Sequence, residues 1–158
     1  MAINLNSTLP AAPAGSNNVV WAEDASGNVS ASVPSSAVVQ TELALTGQGA
    51  NVGVTNLVAS VPNNARYRVT VYIIITTVDS VSSTLPSVTL AWKDADNSTN
   101  QTLTLVASQT GNLLTTKGSA TTLISAQSAS AISVSTASYA SNTPSQMKFS
   151  LYVETELL

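Results

Sequence analysis

The stretch Tyr67-Arg68-Val69-Thr70-Val71-Tyr72-Ile73-Ile74-Ile75-Thr76 decides the fold. Side chains of an extended chain repeat every two residues. Tyr67, Val69, Val71, Ile73 and Ile75 therefore share one face. Tyr72 and Ile74 stand on the other. The residues are mostly β-branched or aromatic, which suits a pleated, half-buried surface. An apolar residue set on both faces predicts a strand buried on both faces. In a two-sheet protein the outer face is buried only if something packs on it. Two covers are open, an N-terminal segment or a neighbouring subunit, and the second is preferred because contiguous exposed apolar surface marks contact sites. Tyr72 and Ile74 are the expected subunit-interface residues.

Outward from this strand the same period recurs. Val88, Leu90 and Trp92 share a face, as do Leu103 and Leu105, and as do Met147, Phe149, Leu151 and Val153. One apolar face per strand places one side on a core and the other towards solvent. Strands are predicted over residues 38–45, 52–61, 67–78, 88–92, 101–107, 120–125, 132–136 and 147–155. A short Leu113-Leu114-Thr115 step lies between two of them. The Ala- and Ser-rich run 125–138 carries Ile, Val and Thr in short groups and is read as a pair of strands, not a helix. About eight strands with irregular loops predict an all-β fold, a two-sheet antiparallel sandwich or jelly roll, over residues 36–158.

Residues 1–35 differ. Pro10-Ala11-Ala12-Pro13-Ala14-Gly15 has neither helical nor strand period and is expected to be extended. Val19-Val20-Trp21 is a short apolar anchor. The turn Asp24-Ala25-Ser26-Gly27-Asn28 leads into the alternating Val29-Ser30-Ala31-Ser32-Val33. The expectation is an extended N-terminal arm with a short hairpin. Pro10, Pro13, Val19, Val20 and Trp21 are its partner-binding residues.

Composition limits what the chain can do. Of 158 residues 44% are hydrophobic and 8% are charged, against roughly 25% charged in an ordinary soluble protein. Ser, Thr, Asn and Gln make up the surface, so little charge keeps copies apart, and a β protein of this kind is expected to live assembled. The net charge is −3, and the five basic residues, Arg66, Arg68, Lys93, Lys117 and Lys148, form no basic face. Nucleic-acid binding by counterion release is not expected.

No stretch has the roughly 18 apolar residues of a membrane span. The N-terminus Met1-Ala2-Ile3-Asn4-Leu5-Asn6 does not read as a secretory signal. Synthesis in the cytoplasm is expected, and the sequons at Asn6, Asn28, Asn97 and Asn100 are read as composition.

With no His and no Cys, Ser-His-Asp and Cys-His nucleophiles and most transition-metal sites are excluded. Asp94-Ala95-Asp96-Asn97-Ser98 is the densest acidic spot, but Thr99 and Leu105 stand where a calcium-binding EF-hand loop needs Gly and Glu, so a turn is expected. The carboxylates show no spacing that selects a glycosidase pair. Trp92, Tyr139 and Tyr152 could make a small sugar platform, though core roles are expected for them. No enzyme activity, cofactor or metal is expected.

Two stretches carry a resemblance. One is Asn18-Val19-Val20-Trp21 with Asp24 to Pro34. The other is Tyr67 to Thr76 with Leu85-Pro86-Ser87-Val88-Thr89-Leu90-Ala91-Trp92-Lys93-Asp94-Ala95-Asp96. They resemble small structural proteins of tailed bacteriophages and prophages. The third strand, with Ile132-Ser133-Val134-Ser135-Thr136 and Met147 to Glu154, is also similar to the trimeric jelly rolls of the tumour-necrosis-factor and complement-globular-head type. The resemblance implies a virion component, a capsid decoration (cement) protein or an accessory head or tail protein. Its implied partners are itself, as a homotrimer, and the major capsid protein or another virion protein. The alternative it leaves open is a tail or head-fibre module that recognises a host surface glycan.

Overall fold

The computed structural model describes residues 20–23, 29–32 and 38–158, with side chains from residue 41 onward. Every regular element within them is a strand. In chain order these are β1 (Val20–Glu23), β2 (Val29–Ser32), β3 (Val38–Gln48), β4 (Thr55–Val58), β5 (Ala65–Thr77), β6 (Ser83–Leu85), β7 (Ser87–Lys93), β8 (Asn100–Val106), β9 (Gln109–Thr110), β10 (Lys117–Ala126), β11 (Ile132–Ala137), β12 (Ala140–Ser141) and β13 (Lys148–Leu157).

β1 and β2 form an antiparallel hairpin, with Val20 opposite Ser32 and Glu23 opposite Val29. It belongs to a unit that ends at Ser36; Ala37–Leu158 form the second. In that second unit β5 lies between β10 and β13, and the first sheet runs β10-β5-β13-β3. The second sheet runs β4-β11-β7-β8. All their pairings are antiparallel. Numbering these eight strands by chain order, one sheet reads 6-3-8-1 and the other 2-7-4-5. That is the connectivity of a jelly roll. A small sheet, β12-β6-β9, lies where β5 and β8 end.

The alternation read from the sequence sets the core. Tyr67, Val69, Val71, Ile73 and Ile75 of β5 are buried with Phe149, Leu151 and Val153 of β13. Leu57, Val58, Val88, Leu90, Ile132 and Val134 of the second sheet are buried in the same cluster. Each such side chain contributes about 1.5–3 kcal/mol when fully removed from water. The other face of β5 is different. Tyr72 and Ile74 are half-buried, so this face of the single chain is only partly covered.

Several boundaries differ from the sequence expectation for physical reasons. β4 is shorter than residues 52–61. Val52 and Val61 are buried but leave the ladder: Val52 N–H donates to Thr136 Oγ1 at 2.7 Å, and Val61 N–H to the Ser130 carbonyl at 2.8 Å. The Leu113-Leu114-Thr115 step is a loop between β9 and β10. The run 125–138 holds the end of β10 and all of β11, joined by a turn, and the two strands do not pair with each other. β10 pairs with β5, and β11 with β4 and β7, so the chain crosses between sheets through a turn in which Ala129 takes φ +57°.

The sheet edges approach each other. A Cβ at Gly118 of β10 would stand 2.4 Å from Val106 Cγ1 of β8, so only glycine allows that approach. Thr41 Oγ1 of β3 donates to the Leu57 carbonyl of β4. An Asp94–Ala126 bridge ties the β7–β8 turn to the end of β10. Open strand edges invite pairing with other chains, and these contacts narrow them.

Two fully buried hydroxyls, Tyr67 Oη and Thr155 Oγ1, have no protein hydrogen-bond partner among the described residues. Burial pushes the Tyr67 phenol above its usual pKa. An unpaired buried hydroxyl costs about 1–3 kcal/mol. Tyr67→Phe should therefore leave stability unchanged or raise it by about 1 kcal/mol in urea unfolding. A clear loss would show that the hydroxyl is bonded in solution.

Candidate functional site

The candidate surface begins with the pleat of β5. With Tyr67, Val69, Val71, Ile73 and Ile75 turned inward, Arg68, Thr70, Tyr72 and Ile74 must point outward. Register then sets their neighbours. Tyr72 lies between Tyr152 of β13 and Ser119 of β10, and Ile74 between Ser150 and Lys117. The Tyr72 and Tyr152 rings stack with centroids 6.3 Å apart and planes 30° apart. Tyr152 is 37% exposed. Ala44 lies beside Tyr152 on β3 and is exposed. Toward one end the face turns polar. Thr70 and Thr121 hydroxyls lie 3.2 Å apart, and Arg68 Nη1 meets Glu156 Oε2 at 2.7 Å. That ion pair is exposed and adds little stability. Leu123, opposite Arg68, is exposed.

This face has rigid apolar content at its centre and sparse charge around it. It presents two phenols and an aliphatic side chain on β5 and β13, the two central strands of the sheet. Aromatic pairs of this kind add about 0.5–1.5 kcal/mol beyond area burial, and such side chains are enriched at protein contacts.

The other residues singled out from the sequence are dispersed. Pro10, Pro13 and Val19 lie outside the described residues. Val20 and Trp21 begin β1. Trp92 turns inward with Val88 and Leu90, and packs against the core. Tyr139 packs on Phe149 at 6.0 Å and donates its hydroxyl to the Met147 carbonyl at 2.7 Å. Tyr152 alone of the three faces outward, so Trp92, Tyr139 and Tyr152 share no platform. The Asp94 carboxylate accepts the Asp96 and Asn97 N–H groups, and Asn97 Oδ1 accepts the Thr99 N–H, so the acidic spot is a turn. Among the described residues, no three of His, Cys, Asp and Glu gather as metal ligands, and no helix could cross a membrane.

A polar cluster at the end that carries β6, β9 and β12 was not legible in the sequence. Asp79 is buried there. Its carboxylate accepts the Val81 N–H at 2.8 Å, the Thr143 N–H at 2.8 Å and the Ser141 hydroxyl at 2.6 Å. Burial is the largest single influence and would raise the pKa. The bonds from Ser141 and from the Val81, Thr143 and Ser82 backbone together outweigh it, and hold the group at about 2, against an ordinary 3.8. Hydrogen bonds to the charged form lower a carboxyl pKa in this way.

No protein-family model matches the chain, and no curated protein matches it. Solved structures show a distant likeness. One is the CBM22-1–GH10 modules of the Clostridium thermocellum endo-1,4-beta-D-xylanase 10B, complexed with xylohexaose, at 10% identity and TM-score 0.38. The match covers 89% of this chain and 24% of that one, so the chain spans about a quarter of its length. Another is the acid-stable capsid of Helicobacter pylori bacteriophage KHP30, at 16% identity and TM-score 0.37. It covers 78% of this chain and 92% of that one. Neither likeness assigns a residue a role.

The depressed Asp79 pKa gives a signed expectation. A carboxyl whose pKa is lowered on folding stabilises the protein above its unfolded pKa, and that stabilisation is lost as pH falls through its folded pKa. Asp79→Asn should lower the urea midpoint at neutral pH. The gap to wild type should close between about pH 4 and about pH 2. A gap constant across that window would show that the carboxylate charge is not what the loops use.

Proposed function

We propose that this chain is a non-enzymatic structural protein of a tailed-bacteriophage virion, made in the host cytoplasm, that binds the assembled capsid surface as a decoration protein. The outward face around Tyr72, Ile74 and Tyr152 carries the proposal. A half-covered apolar surface on the two central strands of a sheet is costly to leave wet, and burial against another subunit recovers about 25 cal/mol per Å² before ordering costs. In this reading Tyr72 and Ile74 form the subunit interface of a homotrimer. A threefold contact joins two different patches, so this face meets another surface of its neighbour. The low surface charge supports the same conclusion, since it leaves little repulsion between copies.

Residues 1–35 act in this reading as an arm. Pro10, Pro13, Val19, Val20 and Trp21 reach the major capsid protein or another virion protein. Added apolar burial and backbone pairing across shell joints would resist internal pressure. A fibre module that reads a host glycan is the competing assignment. It has less support, because of its three aromatic candidates only Tyr152 faces outward, while Trp92 and Tyr139 pack against the core.

Light scattering on the purified protein over a range of concentrations tests the trimer. The expected mass is three times that of the chain, and Tyr72→Asp or Ile74→Asp should reduce it to a monomer that still unfolds cooperatively. A wild-type monomer at every concentration would remove self-assembly from the proposal. Deleting residues 1–21 should leave the β-sandwich folded and abolish shell binding. Retained binding by the truncated protein would refute the arm's role.

A further inference from the structure

The surfaces of the second unit are not alike. The first sheet presents Tyr72, Ile74 and Tyr152 outward. Val81, Leu113 and Leu114 stand exposed on a loop tip, clamped by the Asp79 N–H to Asn112 Oδ1 at 2.8 Å and by the Ser83 hydroxyl to the Gly111 carbonyl at 2.8 Å. The second sheet is different. With Val88 and Leu90 of β7 and Ile132 and Val134 of β11 buried, the pleat turns Thr89, Ala91 and Lys93 outward, with Ser133 and Ser135 beside them.

Register lays these residues in rows. Ser133 and Thr102 flank Ala91, and Asn100 stands beside Lys93. An alanine between two longer side chains leaves a dip, and a depression of about 330 Å³ lies there. Its walls include Ala91, Lys93, Asn100, Thr102, Ser130 and Ser133. Trp92 also borders it, but the ring packs against the core.

Lys93 is the one charged residue on those walls. It is half-buried, and among the described residues it makes no ion pair. An ammonium carries three donors and no acceptor, so this one lacks a counter-group. The acids nearest in sequence are engaged elsewhere. The Asp94 carboxylate accepts the Asp96 and Asn97 N–H groups within its own turn, and Asp96 lines a separate groove with Arg66.

We propose that this depression binds a saccharide carrying an anionic group, a carboxylate or a phosphate, with the anion on Lys93 and Asn100 and the ring hydroxyls on Ser133 and Thr102. The Ala91 methyl group is the floor for the C–H face of the ring. Each wall supplies what such a ligand needs: a cation, hydroxyls that both donate and accept, and a small apolar patch. The volume is at the low end of the range for ligand sites, about 300–1,000 Å³, and suits a terminal sugar better than a long chain. A nucleic acid fits poorly, because one cation is no basic face and no ring is offered to stack on a base. The site goes beyond the decoration reading and does not depend on it. Tyr72 lies on the other sheet, so a subunit held through that face leaves this one free.

Nitrogen–proton correlation NMR on the full chain, titrated separately with D-glucuronate, glucose 6-phosphate, D-glucose and inorganic phosphate, tests the site. At least one anionic sugar should shift the amide signals of Ala91, Lys93, Asn100, Thr102 and Ser133 saturably, and the tighter of the two names the anion. Lys93→Gln should weaken that sugar about tenfold, to the level of glucose. Ala91→Leu, which fills the depression, should abolish sugar binding with an unchanged circular dichroism spectrum. No saturable shift from either anionic sugar, shifts confined to other residues, or unchanged binding by Ala91→Leu would overturn the proposal. Inorganic phosphate binding as tightly as glucose 6-phosphate, with no binding of glucuronate, would also overturn it and leave an adventitious ion only. A wild-type monomer that still binds an anionic sugar here would refute the trimer and keep this site.

Discussion

The two ladders that β5 makes with β10 and β13 are the constraint on which the rest depends. β5 is paired from Ala65 to Ile74 on one side and from Tyr67 to Thr77 on the other. A strand so placed has no free backbone edge, and its two faces are its only surfaces. One face carries the largest buried side chains and requires a second sheet to cover it. The other, by the pleat alone, must present Tyr72 and Ile74. The core and the candidate interface are therefore two consequences of one register. A slip of one residue would exchange them.

The second sheet answers the first without copying it. Its inward residues complete the core, and its outward residues are small and polar, among them Thr89, Ala91, Ser133 and Ser135. In a chain with so little charge, the contrast between surfaces is set by where apolar side chains remain outside. Among the described residues they include Tyr152 and Leu123 on the outer face of the first sheet and Val81, Leu113 and Leu114 on the clamped loops. Both places are held rigid, one by central strands and the other by the bonds of Asp79, Asn112 and Ser83.

Much of this was legible from residue order. The period of two in Tyr67–Ile75 and in Met147–Val153 identified strands and their inward sides, because the pleat leaves no choice. The eight strands of the two sheets were all anticipated within a few residues. The short β6, β9 and β12 were not, since two or three residues cannot show a period. Asp79 gave no signal either. Its partners Asn112, Ser141 and Thr143 lie 33 to 64 residues away, and only the folded loops bring them together. The polar run 125–138 revealed two strands but not that they enter different sheets, because alternation carries no information about partners.

By itself the sequence determined the class of structure and the sidedness of its strands. It also determined the absence of His and Cys chemistry and the scarcity of charge. These are properties of local geometry and of composition, and they need no partner to be defined. Only the tertiary structure decided which strands are neighbours, that Tyr152 stacks on Tyr72, and that Trp92 and Tyr139 serve the core. It alone decided that Val81, Leu113 and Leu114 share a tip. Those are contacts between residues far apart in the chain, and their positions follow from the packing of two sheets over one core, which no short stretch can encode alone.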